Sequence, residues 1–183
     1  MTMLPLLFGF TGCGEEAALG KDAADTAPLP CDERPASVAI GGSGTDELQR
    51  PIWTEMPEGS EQTMVHGPQG GWHILASADV QSTDDIVTIE YTITWPARAD
   101  AQLSYGSFRV MLVPDARCGG YYAGMLGILD VSDLASGEAD TPPELLAGET
   151  LSLTMNVIDL NGLTASDAVN IVAALDPDDV PVE

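Results

Sequence analysis

Basic side chains are scarce in this chain. Lys and Arg number 6 against 29 Asp and Glu, for a formal charge of −23. A surface of that sign repels phosphate backbones and anionic head groups, which sets aside nucleic acid and polybasic membrane contact. It leaves solubility through self-repulsion, or affinity for divalent cations and cationic partners. Long apolar runs are missing as well: the stretch at residues 1–13 is too short to cross a bilayer as a helix. Long helical periodicity is absent past residue 36. Catalytic punctuation is lacking too. No Gly-x-Ser-x-Gly elbow occurs, and Gly41-Gly42-Ser43-Gly44 lacks the lysine and following helix of a phosphate loop. The 2 histidines sit on one short stretch, so a serine triad would have to draw its base from a hairpin. The chain reads as a non-enzyme.

What is present is alternation. Residues 86–95 place Val87, Ile89, Tyr91, Ile93 and Trp95 on one side and Thr88, Glu90, Thr92 and Thr94 on the other. One dry face and one wet face mark an antiparallel strand. Residues 103–113 alternate likewise, as do 151–159, with Leu151, Leu153, Met155 and Val157 in phase, and 163–174, with Val169, Ile171 and Ala173 in phase. Shorter strands are expected at 36–40, closed by the glycine run, and at 51–55, an edge strand because Pro51 cannot donate to a ladder. At 121–131 Gly124 and Gly127 predict a bulge or a close backbone approach. Residues 133–147 form a long connection with a helical turn at 144–146, placed to bridge two sheets, and Asn161-Gly162 is a hairpin turn. Short strands with turns about every ten residues predict an all-β, Ig-like antiparallel β-sandwich.

Val65-His66-Gly67-Pro68-Gln69-Gly70-Gly71-Trp72-His73-Ile74 carries the turn chemistry of a hairpin between arms at 61–66 and 73–81. A turn centred on Gln69-Gly70 sets His66 opposite His73, and Met64 opposite Leu75 on the same face. Two imidazoles and a thioether then suit copper or zinc, although structural zinc wants four ligands. The other reading has the histidines bonding backbone while Trp72 packs into the core. Three more groups invite a site. The turns at Asp84-Asp85, at Asp159 with Asn161, and at Asp176, Asp178 and Asp179 are oxygen-rich and suit calcium or plain solvation. Tyr121 and Tyr122, with Trp72, suit a binding surface or a cap on the core edge.

Phe10-Thr11-Gly12-Cys13, at the end of the short apolar run, resembles the lipobox of bacterial lipoproteins. The resemblance implies cleavage before Cys13, a lipid on that cysteine and, with Gly14 next, outer-membrane sorting. Residues 14–35, rich in Ala, Asp, Glu and Pro, read as a disordered tether, and 36–183 as the folded domain. Of 3 cysteines, lipidation of Cys13 leaves Cys31 and Cys118, which in an exported protein favours a disulfide.

The run at residues 151–167, strand, Asp159-Leu160-Asn161-Gly162 turn, strand, resembles the closing hairpin of PKD-type and related bacterial Ig-like domains. The whole chain resembles uncharacterised secreted lipoproteins of myxobacteria, on the His66 to His73 stretch and on Gly124-Met125-Leu126-Gly127. Together these imply a lipid-anchored envelope protein, outer-membrane, periplasmic or surface-exposed. It would act as a non-catalytic binding or structural module with an envelope or extracellular protein partner and no cofactor. The competing expectation is a periplasmic copper/zinc binder using His66 and His73.

Overall fold

Alternation at residues 86–95 becomes the strand β5 (Ile86–Trp95), with the odd-numbered side chains from Val87 to Trp95 buried. In the computed structural model the described residues are 30–67, 70–116, 118–134 and 141–177. Around β5 they form β1 (Ser37–Thr45), β2 (Pro51–Glu55), β3 (Ser60–His66), β4 (Trp72–Gln81), β6 (Ala101–Met111), β7 (Val113–Pro114), β8 (Gly119–Leu129), α1 (Pro142–Leu146), β9 (Thr150–Asp159) and β10 (Thr164–Leu175). The expectations for residues 1–29, Cys13 among them, lie outside the described residues, as do Pro68, Gln69, Asp178 and Asp179.

One sheet runs β6–β5–β9–β10, antiparallel throughout. The other runs β7–β8–β4–β1–β2, also antiparallel. Strand β3 belongs to both. Its first part lies parallel to β10, from Ser60 opposite Ile171 to Met64 opposite Leu175, and its last part pairs with β4. Met64, fully buried, is the residue at which the strand changes sheets. Four strands of the first sheet stand as C′, C, F and G of an immunoglobulin-type sandwich, and β1, β4, β8 and β7 as A, B, E and D. The fold is an all-β, Ig-like sandwich. The chain crosses between sheets from β4 to β5, from β6 to β7, and from β8 through α1 to β9, so the connection expected over 133–147 joins strands of different sheets.

Burial of alternating faces drives the closure, at about 25 cal/mol per Å² of apolar area. Ile74, Ala76, Ala78 and Val80 of β4 face Leu151, Leu153, Met155 and Val157 of β9 across a core that also holds Ile89, Tyr91, Leu103, Met125 and Leu146. Antibody domains put an inter-sheet disulfide between B and F; here those strands meet through these apolar side chains. Gly124 takes φ +79° where the β4–β8 register shifts, and its N–H donates to the buried Ser77 Oγ at 3.3 Å. Of the expected alternatives, a bulge is thus present at Gly124, while at Gly127 the Tyr91 ring lies close against the backbone.

Two strand boundaries need correction. The run expected as one strand over 103–113 ends at Met111, and Val113–Pro114 forms β7 in the other sheet. Residues 41–44 do not close β1 but continue it to Thr45, paired with β2. Glycine there serves close approach. A Cβ on Gly41 would overlap the Trp53 indole, which lies across β1 and donates its Nε1–H to Ala39 O at 3.3 Å. Where β1 passes β10, the Ile40 N–H donates to Asp167 Oδ2 at 2.8 Å and ties the sheets together.

Candidate functional site

The histidine hairpin forms, with a register one residue away from the expected one. His66 opposes Trp72, Val65 opposes His73, and Met64 opposes Ile74. The arms are joined by residues 67–71, held by Gly67 N–H to Gly71 O and Gly70 N–H to Gly67 O, both 3.0 Å. The centre therefore falls on residue 69, not between 69 and 70. Because side chains alternate, that single step sends the histidines to opposite faces of the ribbon. His66 lies against the Trp72 ring, centroids 4.9 Å apart. His73 points to the outer face beside Val65, its ring against the backbone of Gly67. Met64 turns into the core. The expected shared face of His66, His73 and Met64 is therefore not formed, and among the described residues no three His, Cys, Asp or Glu side chains converge as metal ligands.

Cys31 and Cys118 form the disulfide, Cα atoms 5.3 Å apart. It fastens the segment before β1 to the loop between β7 and β8. The aromatic residues do not share one surface. Tyr122 opposes Ala78 and packs on the core, Tyr121 opposes Asp79 on the outer side, and Trp72 lies half-buried against the core at the far end of β4.

The Asp159 turn is built from backbone donors. Its Oδ1 accepts the N–H groups of Asn161 and Leu163, both at 2.8 Å, and its Oδ2 accepts that of Asp84 at 3.3 Å. Asn161 Nδ2 donates to Asp84 Oδ2 at 2.9 Å. Burial alone would raise the Asp159 pKa, but the N–H groups of Leu163, Asp84, Asn161 and Gly162 outweigh it and hold the carboxyl below its ordinary value. These oxygens thus dock the β4–β5 turn onto the β9–β10 turn.

The outer face of the β6–β5–β9–β10 sheet differs from the segments between strands, where most of the described acids lie. Cross-strand pairing lays its side chains in rows: Tyr105, Thr92, Thr154 and Ala168; then Ser107, Glu90, Asn156 and Ser166; then Arg109, Thr88, Ile158 and Thr164. A fourth row reads Gln102, Thr94, Ser152 and Asn170. Among the described residues, Glu90 and Arg109 are the charged side chains that point outward from these strands, in a chain of formal charge −23. The others are chiefly hydroxyls and amides. Tyr105, 57% exposed, stands at one side with its hydroxyl 3.4 Å from Glu90 Oε1. At the other side a depression of about 500 Å³ is lined by Glu90, Asn156, Ile158, Thr164 and Ser166. Each strand shows its wet side in the sequence. Their union into one charge-poor surface depends on strand order and register, which alternation does not encode. The signal available was the rarity of acids at the outward phase of these four strands.

No family model and no curated protein matches the chain. Among solved structures it is similar to an immunoglobulin-like protein of Pseudomonas aeruginosa, at 13% identity and a TM-score of 0.32, over 75% of this chain and 97% of that one.

Proposed function

We propose that this protein is an exported, lipid-anchored, non-catalytic Ig-like module that recognises an envelope or extracellular partner through the outer face of its β6–β5–β9–β10 sheet. The observation that carries the reading is the array of hydrogen-bonding groups on this face. The strands of the other sheet are as poor in charge, with Glu55 and Asp79 their acids, but β8 exposes Leu126 and Ile128 there, whereas this face sets hydroxyls and amides beside an exposed aromatic ring. The Cys31–Cys118 disulfide supports export, since such bonds persist in oxidising compartments. The short apolar run ending at Cys13 supports the anchor, with the tether holding the domain clear of the bilayer.

Two measurements test this. In detergent phase partition, which dissolves the envelope and reads the lipid alone, Cys13→Ala should move the protein from the detergent phase to the aqueous phase; a parent chain that already partitions into the aqueous phase would remove the anchor. The oxidised Cys13→Ala chain should sediment with envelope fragments of its producing cell, and Tyr105→Ala or Asn156→Glu should weaken that association roughly tenfold. Absence of association, or association indifferent to both changes, would remove the recognition face.

A further inference from the structure

The geometry points to a neutral polysaccharide as the partner of the β6–β5–β9–β10 face. This inference rests on the reading of that face as the recognition surface. The strands lie side by side at roughly 4.8 Å spacing, so from Tyr105 to Ser166 the platform is about 14 Å wide, enough for a few sugar rings. Thr92, Thr94, Thr154, Ser152 and Ser166 present hydroxyls, and Asn156 an amide, at the solvent side. Hydroxyls and amides both donate and accept, as sugar hydroxyls do, so each can pair with a sugar in either sense. The exposed Tyr105 ring supplies what such an array lacks, an apolar plate for the C–H face of a pyranose, while its hydroxyl keeps a polar handle near Glu90. The depression beside Asn156 and Ser166 gives the bound chain a place to seat beyond the flat part.

Charge narrows the ligand class. A net charge of −23 repels uronates, phosphorylated glycans and other polyanions. Polycations would be drawn to the acid-rich turns, such as Asp84-Asp85, and not to this face. A globular protein partner would bury an apolar centre. Here the centre is Thr92, Thr154, Glu90 and Asn156, with Met111 at the border.

The test is affinity electrophoresis of the oxidised Cys13→Ala chain through gels containing amylose, laminarin, galactomannan or, as the charged control, polygalacturonate. At least one neutral glycan should retard the chain, equally at about 0.05 and 0.5 M salt, because no ion pair is involved. Tyr105→Ala and Asn156→Glu should each weaken the retardation roughly tenfold. Both side chains are exposed, and matching thermal melts will show that the variants fold. Three results overturn the inference: no retardation by any neutral glycan, retardation by polygalacturonate alone, or equal retardation of both variants. Envelope sedimentation separates the two levels. If it depends on Tyr105 and Asn156 while no glycan retards the chain, the glycan inference falls and the recognition face stands. If neither binding is seen, both fall.

Discussion

Tyr91 sits at the centre of β5 with its ring fully buried and its hydroxyl without a partner among the described residues. Burial pushes the phenol pKa far up, so the group stays neutral and does no acid–base work. A buried hydroxyl with no partner costs about 1–3 kcal/mol. The Tyr91 ring also fills the space over Gly127: a Cβ there would lie 2.6 Å from Ile93 Cδ1 and 2.7 Å from Tyr91 Cε1. Two opposite outcomes follow for neighbouring residues. Tyr91→Phe keeps the ring and removes the unpaired oxygen, so the melting temperature should hold or rise. Gly127→Ala forces the ring or the isoleucine aside and should cost about 1–3 kcal/mol in urea unfolding. A marked loss in Tyr91→Phe would mean that the hydroxyl is bonded after all.

At the level of elements, most strands were legible, because an antiparallel strand with one wet face writes its burial as period two. Val87 to Trp95 and Leu151 to Val157 show this, each odd position buried. Three features escaped that logic. The His66–His73 register turned on whether the loop holds an even or odd number of residues, and Gly70 and Gly71 suit either. Strand β3 changes sheets at Met64, where one apolar residue serves both pairings. The glycine run of β1 reads as a break unless the Trp53 indole that covers it is known. The β9–β10 hairpin was legible from Asn161-Gly162, yet its strength comes from Asp159, whose carboxylate binds backbone on two turns. Asp159→Ala should cost about 1.5–3 kcal/mol at neutral pH. The folded pKa of Asp159 lies below the unfolded value, so its stabilisation is complete above about pH 4 and fades as pH falls through the folded value. Urea titrations at descending pH should therefore show wild type and Asp159→Ala converging. A gap that stays constant into acid would show that the alanine acts through packing and not through lost charge.

For the molecule as a whole, two opposing features set the balance. Self-repulsion at a formal charge of −23 pushes the chain apart, and a cross-link spanning 87 residues holds it together. The cross-link begins ahead of β1 and ends just before β8, so it encloses β1 through β7 and fastens the start of the sandwich to the entry of β8. Without it, β1 would retain β4, β2 and the Ile40–Asp167 tie to the other sheet. In the chain-entropy account a loop of that length is worth roughly 4–5 kcal/mol, a large share of the stability of an ordinary domain. The Cys31→Ser/Cys118→Ser variant should unfold at a clearly lower urea concentration. Its early losses in hydrogen exchange should fall on β1 and on the β7–β8 region rather than on β5 and β9. Salt screens a repulsion that is stronger in the compact folded chain, and does so alike in wild type and variant, so it should raise both melting temperatures in parallel and leave the gap between them. If salt closed that gap, the cross-link would be acting mainly against charge repulsion, and the entropic reading of the staple would have to be abandoned.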